Sequence, residues 1–406
     1  VRLELVLMRA LCFLASVLQS LAAPREKKEA AARRRRRGCP NPSAMILTQC
    51  PVCAVALPAL TAKQCSRCKT RYCGPACQKQ HWEQGGHDKL CKLIRKGGGA
   101  EQYNANTKYA AAVAVAAEKC AEDTKGQTCY ICTQALHWKT KEGLVRGCSC
   151  RGTAGFAHVS CLAEQAKILC DEVEENNLDN NRRHKAWERW HTCSLCEQQY
   201  HGVVRCALGW ACWKTYVGRL ETNLARQAAM TLLGNGLANA DHHEDALTVR
   251  EADFSSLRRL GASEDNMLVV QSNLANTYSK LGRNEDAARL QRHVYYGHLR
   301  IFGEDHSRTI VSAYNCASTL GELRDYKEVK DILRRTLPVA RRVLGENNET
   351  TLRMRWVYAL ALYANPAATF DDLREAVMTL EDMEPTARRV LGGAHPLVVE
   401  TGINLR

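Results

Sequence analysis

Eight pairs of cysteine and histidine carry the chemistry of this chain. Four lie between residues 50 and 91: Cys50 with Cys53, Cys65 with Cys68, Cys73 with Cys77, and His87 with Cys91. Four more lie between 129 and 196: Cys129 with Cys132, Cys148 with Cys150, His158 with Cys161, and Cys193 with Cys196. A Cys-x-x-Cys pair suits two thiolates that grip one tetrahedral ion from a tight turn. The Cys-x3-Cys and His-x3-Cys pairs put both donors on one face of a helical turn. Thiolate and imidazole are zinc donors, and eight in each cluster make two sites, so the spacing predicts four zinc ions in two modules.

The rest of the cysteine pattern agrees. Fourteen of the 21 cysteines and two of the 13 histidines fill these sites. The seven left over (Cys12, Cys39, Cys120, Cys170, Cys206, Cys212 and Cys316) form no Cys-x-x-Cys pair. An odd cysteine count cannot all pair, and disulfide scaffolds are usually short, whereas this chain has 406 residues. Reduced, zinc-loaded thiols fit the cytoplasm or nucleus.

Metal must position the first cluster. About 40 residues bury too little to fold alone, and a structural zinc contributes on the order of 10–16 kcal/mol in small fingers. Residues 50–91, within a domain expected over 45–95, resemble a MYND-type zinc finger: Tyr72-Cys73, Cys77-Gln78, Trp82 and the closing His87-x3-Cys91 fall where that family has them. The resemblance implies an interleaved arrangement, with Cys50, Cys53, Cys73 and Cys77 on one ion and Cys65, Cys68, His87 and Cys91 on the other. It also implies a shallow groove for short, often proline-containing peptides, with Gln78 and Trp82 at groove positions. Trp82 reads equally as packing. His81 has no ligand role in the family and reads as a helix-surface residue. The alanine-rich stretch within 96–125 has strong helix propensity and reads as a linker helix.

The second cluster, within 126–202, runs four Cys, one His, three Cys. Two families share that order, PHD fingers and RING-CH (variant RING) domains. The second pair here is Cys-x-Cys, seven residues ahead of His158, and that spacing resembles RING-CH, as do Gly152, Phe156 and Leu162. The resemblance implies cross-bracing: Cys129, Cys132, His158 and Cys161 on one ion, Cys148, Cys150, Cys193 and Cys196 on the other. It further implies a ubiquitin-conjugating enzyme as partner, with Ile131 as the hydrophobic contact, and a ubiquitin ligase as activity. Two departures put the activity in question. Gln165 stands where the family often carries tryptophan, and the spacer from Cys161 to Cys193 is 31 residues long.

Beyond a connector at 203–225 the chain repeats. Leu260-Gly261, Phe302-Gly303 and Leu344-Gly345 recur at intervals of 42, and Leu391-Gly392 follows after 47. Apolar residues at Val270, Leu274 and Leu281, then at Ala287, Leu290 and Val294, have helical spacing on either side of Gly282. Each unit is therefore a helix pair, and the array is an α-solenoid. FGEDH (302–306) and LGGAHP (391–396) resemble kinesin-light-chain-type tetratricopeptide repeats over about 226–406, which implies a concave face for proteins or peptides. The first unit, around HHEDAL (242–247), is poorly formed and reads as a cap.

The fold class expected is multidomain and mainly α: two small cross-braced two-zinc modules followed by a solenoid. No Gly-rich phosphate loop and no Gly-x-Ser-x-Gly occurs. Net charge is +14, but residues 1–38 hold ten Lys and Arg against three Glu, half of that excess. A specific nucleic-acid surface is therefore not implied for the whole protein. Residues 1–44 read as a basic arm. Its apolar stretch, Ala10 to Ala23, is too short for a membrane span and reads as a signal-peptide core, an amphipathic helix or misread upstream sequence. ARRRRRG (32–38) reads as an import or anion-binding patch or a solvated arm. The functional readings are a ubiquitin ligase, a non-enzymatic zinc-finger and repeat adaptor, and, third, a PHD-like histone reader, against which the spacing stands.

Overall fold

The structure is a computed structural model that describes residues 50–404 except 54, 56, 58–61, 393 and 394. The expectations for the basic N-terminal arm therefore lie outside the described residues. Those that are described form fifteen helices and one two-stranded sheet, a mainly α protein. They fall into two compact units, one ending at Ala262 and one starting at Ser263. Among them no helix is long and apolar enough to cross a membrane.

The first unit opens on β1 (Lys63–Gln64) and β2 (Arg71–Tyr72), antiparallel with Lys63 opposite Tyr72. Helix α1 (Pro75–Glu83) starts on a proline, whose fixed φ suits a first helical turn. Helix α2 (His87–Lys96) follows Gly86, which takes a φ of 70°. Helix α3 (Ala100–Lys119) buries Ala105, Tyr109, Val113 and Ala116, a stripe at helical spacing. Its first amide, that of Ala100, donates to the Cys68 carbonyl at 3.1 Å, so the helix starts on the first cluster.

The long spacer of the second cluster is structured. It forms α4 (Val159–Glu175) and α5 (Asn180–Glu188), the latter capped by Asp179, and it buries Trp190. The segment expected as a connector is α6 (Gly202–Tyr216), and ten of its fifteen residues are buried. It packs against α7 (Leu224–Asn239), which packs against α8 (His243–Arg259). Two glycines allow the close approach of α6 and α7. A Cβ on Gly236 would stand 2.8 Å from the Arg205 carbonyl oxygen, and one on Gly209 would stand 3.2 Å from that of Leu232. The pair α7–α8, expected as the first unit of the solenoid, thus shares one core with α3, α4, α6 and the second cluster.

The second unit holds α9 (Glu264–Lys280), α10 (Asn284–Phe302), α11 (Ser307–Glu322), α12 (Tyr326–Val343), α13 (Glu349–Tyr363), α14 (Phe370–Leu391) and α15 (Pro396–Asn404). Successive helices pack in sequence order, as in a solenoid. The period of the sequence has a structural cause. Gly303, Gly345 and Gly392 each follow the second helix of a pair with φ of 78°, 92° and 85°, ending it in a conformation that side chains disfavour. Polar ties link equivalent positions of neighbouring pairs, such as Lys330 Nζ to Asp372 Oδ1 at 2.6 Å.

Candidate metal centres

The sixteen pair residues come together as four groups of four: Cys50, Cys53, Cys73 and Cys77; Cys65, Cys68, His87 and Cys91; Cys129, Cys132, His158 and Cys161; Cys148, Cys150, Cys193 and Cys196. Within each group one donor atom per residue lies within 4.8 Å of the others. Both modules are interleaved, so each site joins the first pair to the third, or the second to the fourth.

Local backbone explains the grip. In three Cys-x-x-Cys turns the first Cys amide donates to a carbonyl five residues on, and the amide four residues on donates back. Cys65 pairs with Thr70 and Lys69 in this way, Cys129 with Gln134 and Thr133, and Cys193 with Gln198 and Glu197. The residue after the second Cys turns the chain with positive φ: 64° at Lys69, 60° at Thr133 and 56° at Glu197. The Ile131 and Leu195 amides point at the sulfurs of Cys129 and Cys193, 3.4 Å away in both cases.

The donor sets fit a cation. Burial pushes the Cys50 thiol up, but the amides of Cys73, Cys53 and Val52 outweigh it and hold the thiol down at about 6. In the same group the hydrogen bond with Cys73, then burial, pushes Cys77 up to about 12. In the last group burial, the first cause, drives Cys150 up to about 11, while amide and thiol hydrogen bonds bring Cys196 down to about 7 against burial. Thiols packed this closely cannot all ionise unless a positive ion sits among them. The His158 ring is oriented for such a role. Its Nδ1 lies 3.3 Å from Cys132 Sγ and 3.6 Å from Cys161 Sγ, and its Nε2 faces the Ala135 carbonyl at 3.4 Å. A proton on Nε2, donated to that carbonyl, leaves the Nδ1 lone pair free to bind a metal ion among the thiols.

The candidate partner residues are placed as follows. Gln78 is half-buried on α1. Trp82 is 44% exposed while its ring lies 5.8 Å from that of His87, so it packs and also faces solvent. Ile131 is 37% exposed at the tip of its turn. His81, expected on the helix surface, is half-buried, with Nδ1 3.0 Å from the Tyr72 hydroxyl. Gln165 is half-buried on α4.

Sequence reasoning missed Gly155. It has a φ of 85°, and a Cβ there would stand 2.6 Å from Cys150 Cβ and 3.3 Å from Cys148 Sγ. The signal was the second of the two glycines inside CSCRGTAGFAHVSC, of which only Gly152 falls on a family position. Sequence reasoning also missed Leu136 and Trp138, which are 57% and 68% exposed beside the second module's first site.

Residues 48–91 match the family model of the MYND finger, and residues 266–342 match that of the tetratricopeptide repeat. The chain therefore carries a MYND finger and tetratricopeptide repeats. Among curated proteins none matches the chain. Solved structures that resemble it include a Podosopora anserina putative kinesin light chain with nearly identical TPR-like repeats, at 17% identity and a TM-score of 0.38, covering 57% of this chain and 97% of that one. Another is BtubC (BKLC) from P. vanneervenii, at 15% identity and a TM-score of 0.37, covering 60% of this chain and 81% of that one. Zinc finger and repeat array together describe a protein built for protein interaction.

Proposed function

We propose that this zinc-dependent interaction protein is a RING-CH-type ubiquitin ligase, with four zinc ions in its two modules. The observation that carries the reading is the second module. Its eight donors interleave as Cys129, Cys132, His158 and Cys161 against Cys148, Cys150, Cys193 and Cys196, and Ile131 stands exposed beside the first group. Four protein donors close a zinc site, so the metal shapes the module and does no chemistry of its own. A ubiquitin-conjugating enzyme docks at Ile131, and its thioester is held near the acceptor, a proximity effect. The MYND groove at Gln78 and Trp82 and the repeat array choose the substrate. The nineteen cysteines described are free, which suits a reducing cytoplasm or nucleus.

The second reading is a non-enzymatic adaptor. Gln165 favours it, because the aromatic contact common in RING-CH domains is missing there. Self-ubiquitylation of the zinc-loaded chain against a panel of conjugating enzymes separates the two. Chains that disappear in Cys193→Ser and in Ile131→Ala support the ligase. No chains from a folded, zinc-loaded protein support the adaptor.

A further inference from the structure

The loop after Cys132 is built to display two large apolar side chains. His137 turns inward and is buried, its ring 5.3 Å from that of His158. Its Nδ1 takes the Thr140 hydroxyl at 2.8 Å, its amide donates to the Glu142 carbonyl, and its carbonyl accepts the Lys141 amide. The Ala135 carbonyl faces His158 and the Gln134 carbonyl holds the Cys129 amide. A loop tied this firmly to the first site of the module leaves Leu136 and Trp138, on either side of His137, in solvent. An exposed tryptophan on an ordered loop is costly in water and is a frequent centre of binding energy at interfaces.

The module's two Cys-x-x-Cys turns lie side by side, and the loop is tied to the first of them through the Gln134 carbonyl. The Tyr130 hydroxyl and Ser194 Oγ are 3.1 Å apart, and the next residue of each turn, Ile131 and Leu195, is exposed, Leu195 at 51%. Charge borders this surface unevenly. Lys139 and Lys141, both exposed, follow Trp138 and make no ion pair among the described residues; the neighbouring Glu142 carboxylate is taken up by Ser160, and the second turn adds one exposed carboxylate, Glu197.

We propose that Trp138 and Leu136, with Ile131 and Leu195, form one docking surface for a conjugating enzyme whose contact face is apolar with an acidic border, and that Trp138 supplies the aromatic contact missing at Gln165. The inference rests on the ligase reading of this module. Apolar side chains give the affinity, and Lys139 and Lys141 select the partner and speed its approach.

The test is binding, measured on the full zinc-loaded chain by interferometry against a panel of purified ubiquitin-conjugating enzymes. Trp138→Ala is expected to weaken every enzyme that binds the parent chain by about tenfold or more, with zinc content and helical circular dichroism unchanged. Trp138→Phe is expected to restore most of the affinity. Lys139→Glu with Lys141→Glu is expected to slow association and flatten its dependence on salt. Parent-like affinity in Trp138→Ala overturns the inference and leaves the ligase reading standing. A parent chain that binds no conjugating enzyme overturns both. Unchanged association and salt dependence in the double lysine variant removes the acidic border from the partner.

Discussion

The two cysteine-rich modules differ in what lies behind their candidate metal sites. Among the described residues the core of the MYND finger is seven residues, four of them the candidate ligands Cys50, Cys65, Cys68 and Cys91, with Tyr72, Ile94 and Ala100. The second module shares a core of thirty-six buried residues that runs through α3, α4, α6, α7 and α8. Both use the same turns and the same interleaving, yet one stands almost wholly on its ligands and the other is a surface feature of a helical body. Similar ligand spacing therefore does not mean similar dependence on metal.

Metal removal gives the largest test of that difference. Chelation is expected to unfold residues 50–96, because each structural zinc contributes on the order of 10 kcal/mol in a small finger. In the second module the Cys-x-x-Cys turns and the loop to His158 open, while α6, α7 and α8 keep their protection. Hydrogen exchange read by mass spectrometry checks this peptide by peptide. Loss of protection across 202–259 together with 50–96 would break the comparison.

Gly155→Ala tests the second module alone. The new methyl group meets Cys150, and alanine at a φ of 85° is strained by about 1–2 kcal/mol. We expect the variant to bind about one zinc ion fewer per chain and to leave exchange in residues 50–96 unchanged. Zinc content equal to that of the parent chain would mean that the cradle yields.

Two buried carboxylates extend the contrast to pH and to the solenoid. Burial, the largest cause, pushes Asp253 on α8 up to about 6, against the Thr231 hydroxyl and Arg250. The hydrogen bond from Lys330, then the Thr369 amide, holds Asp372 on α14 down at about 2, against burial. A raised carboxyl contributes stability that is full below its unfolded value of 3.8 and is lost as pH climbs through 6. A depressed one contributes stability present above 3.8 and lost as pH falls toward 2. Between pH 3.8 and 6 the helix pair α7–α8 is therefore expected to lose protection as pH rises, and Asp253→Asn to flatten that change. Below pH 3.8 the junction of α12 and α14 is expected to weaken, and Asp372→Asn to weaken it at neutral pH. Exchange rates of the two segments across the pH series separate these signs.

Spacing made the metal groups and the repeats legible, because each is written locally: a donor pair within one turn, a Leu-Gly that ends one helix. What stood behind them was not legible. GVVRCALGWACWKTY reads as a connector because a helix buried on all sides has no polar face to set a period; only packing on Gly236 and Gly147 shows that it is α6. At Gly147 a Cβ would stand 2.5 Å from Val204 Cβ. Trp138 passed unnoticed because a tryptophan beside ligands reads as core, and its exposure follows from His137 turning inward. The pair α7–α8 carries the repeat's pattern only poorly, and its core is the second module's; periodicity carries no record of which neighbour a helix packs against.

The smallest effect sharpens the comparison at a single backbone position. Lys69, Thr133 and Glu197 all take the left-handed turn after a Cys-x-x-Cys, and of the three only Thr133 is β-branched, the type that suits it least. Thr133→Gly removes that strain at the expense of a more flexible unfolded chain, a net gain of about 0.5–1 kcal/mol. In the second module, whose helices are stable by packing, the gain is expected as slower zinc loss from the group of Cys129, Cys132, His158 and Cys161, followed with a chromogenic chelator. The same change at Lys69 acts in a finger that has almost no core apart from its ligands, so it is expected to raise the midpoint of unfolding as well. Faster zinc loss in Thr133→Gly would show that the Thr133 hydroxyl, 2.7 Å from the Cys132 carbonyl, contributes more than the strain costs.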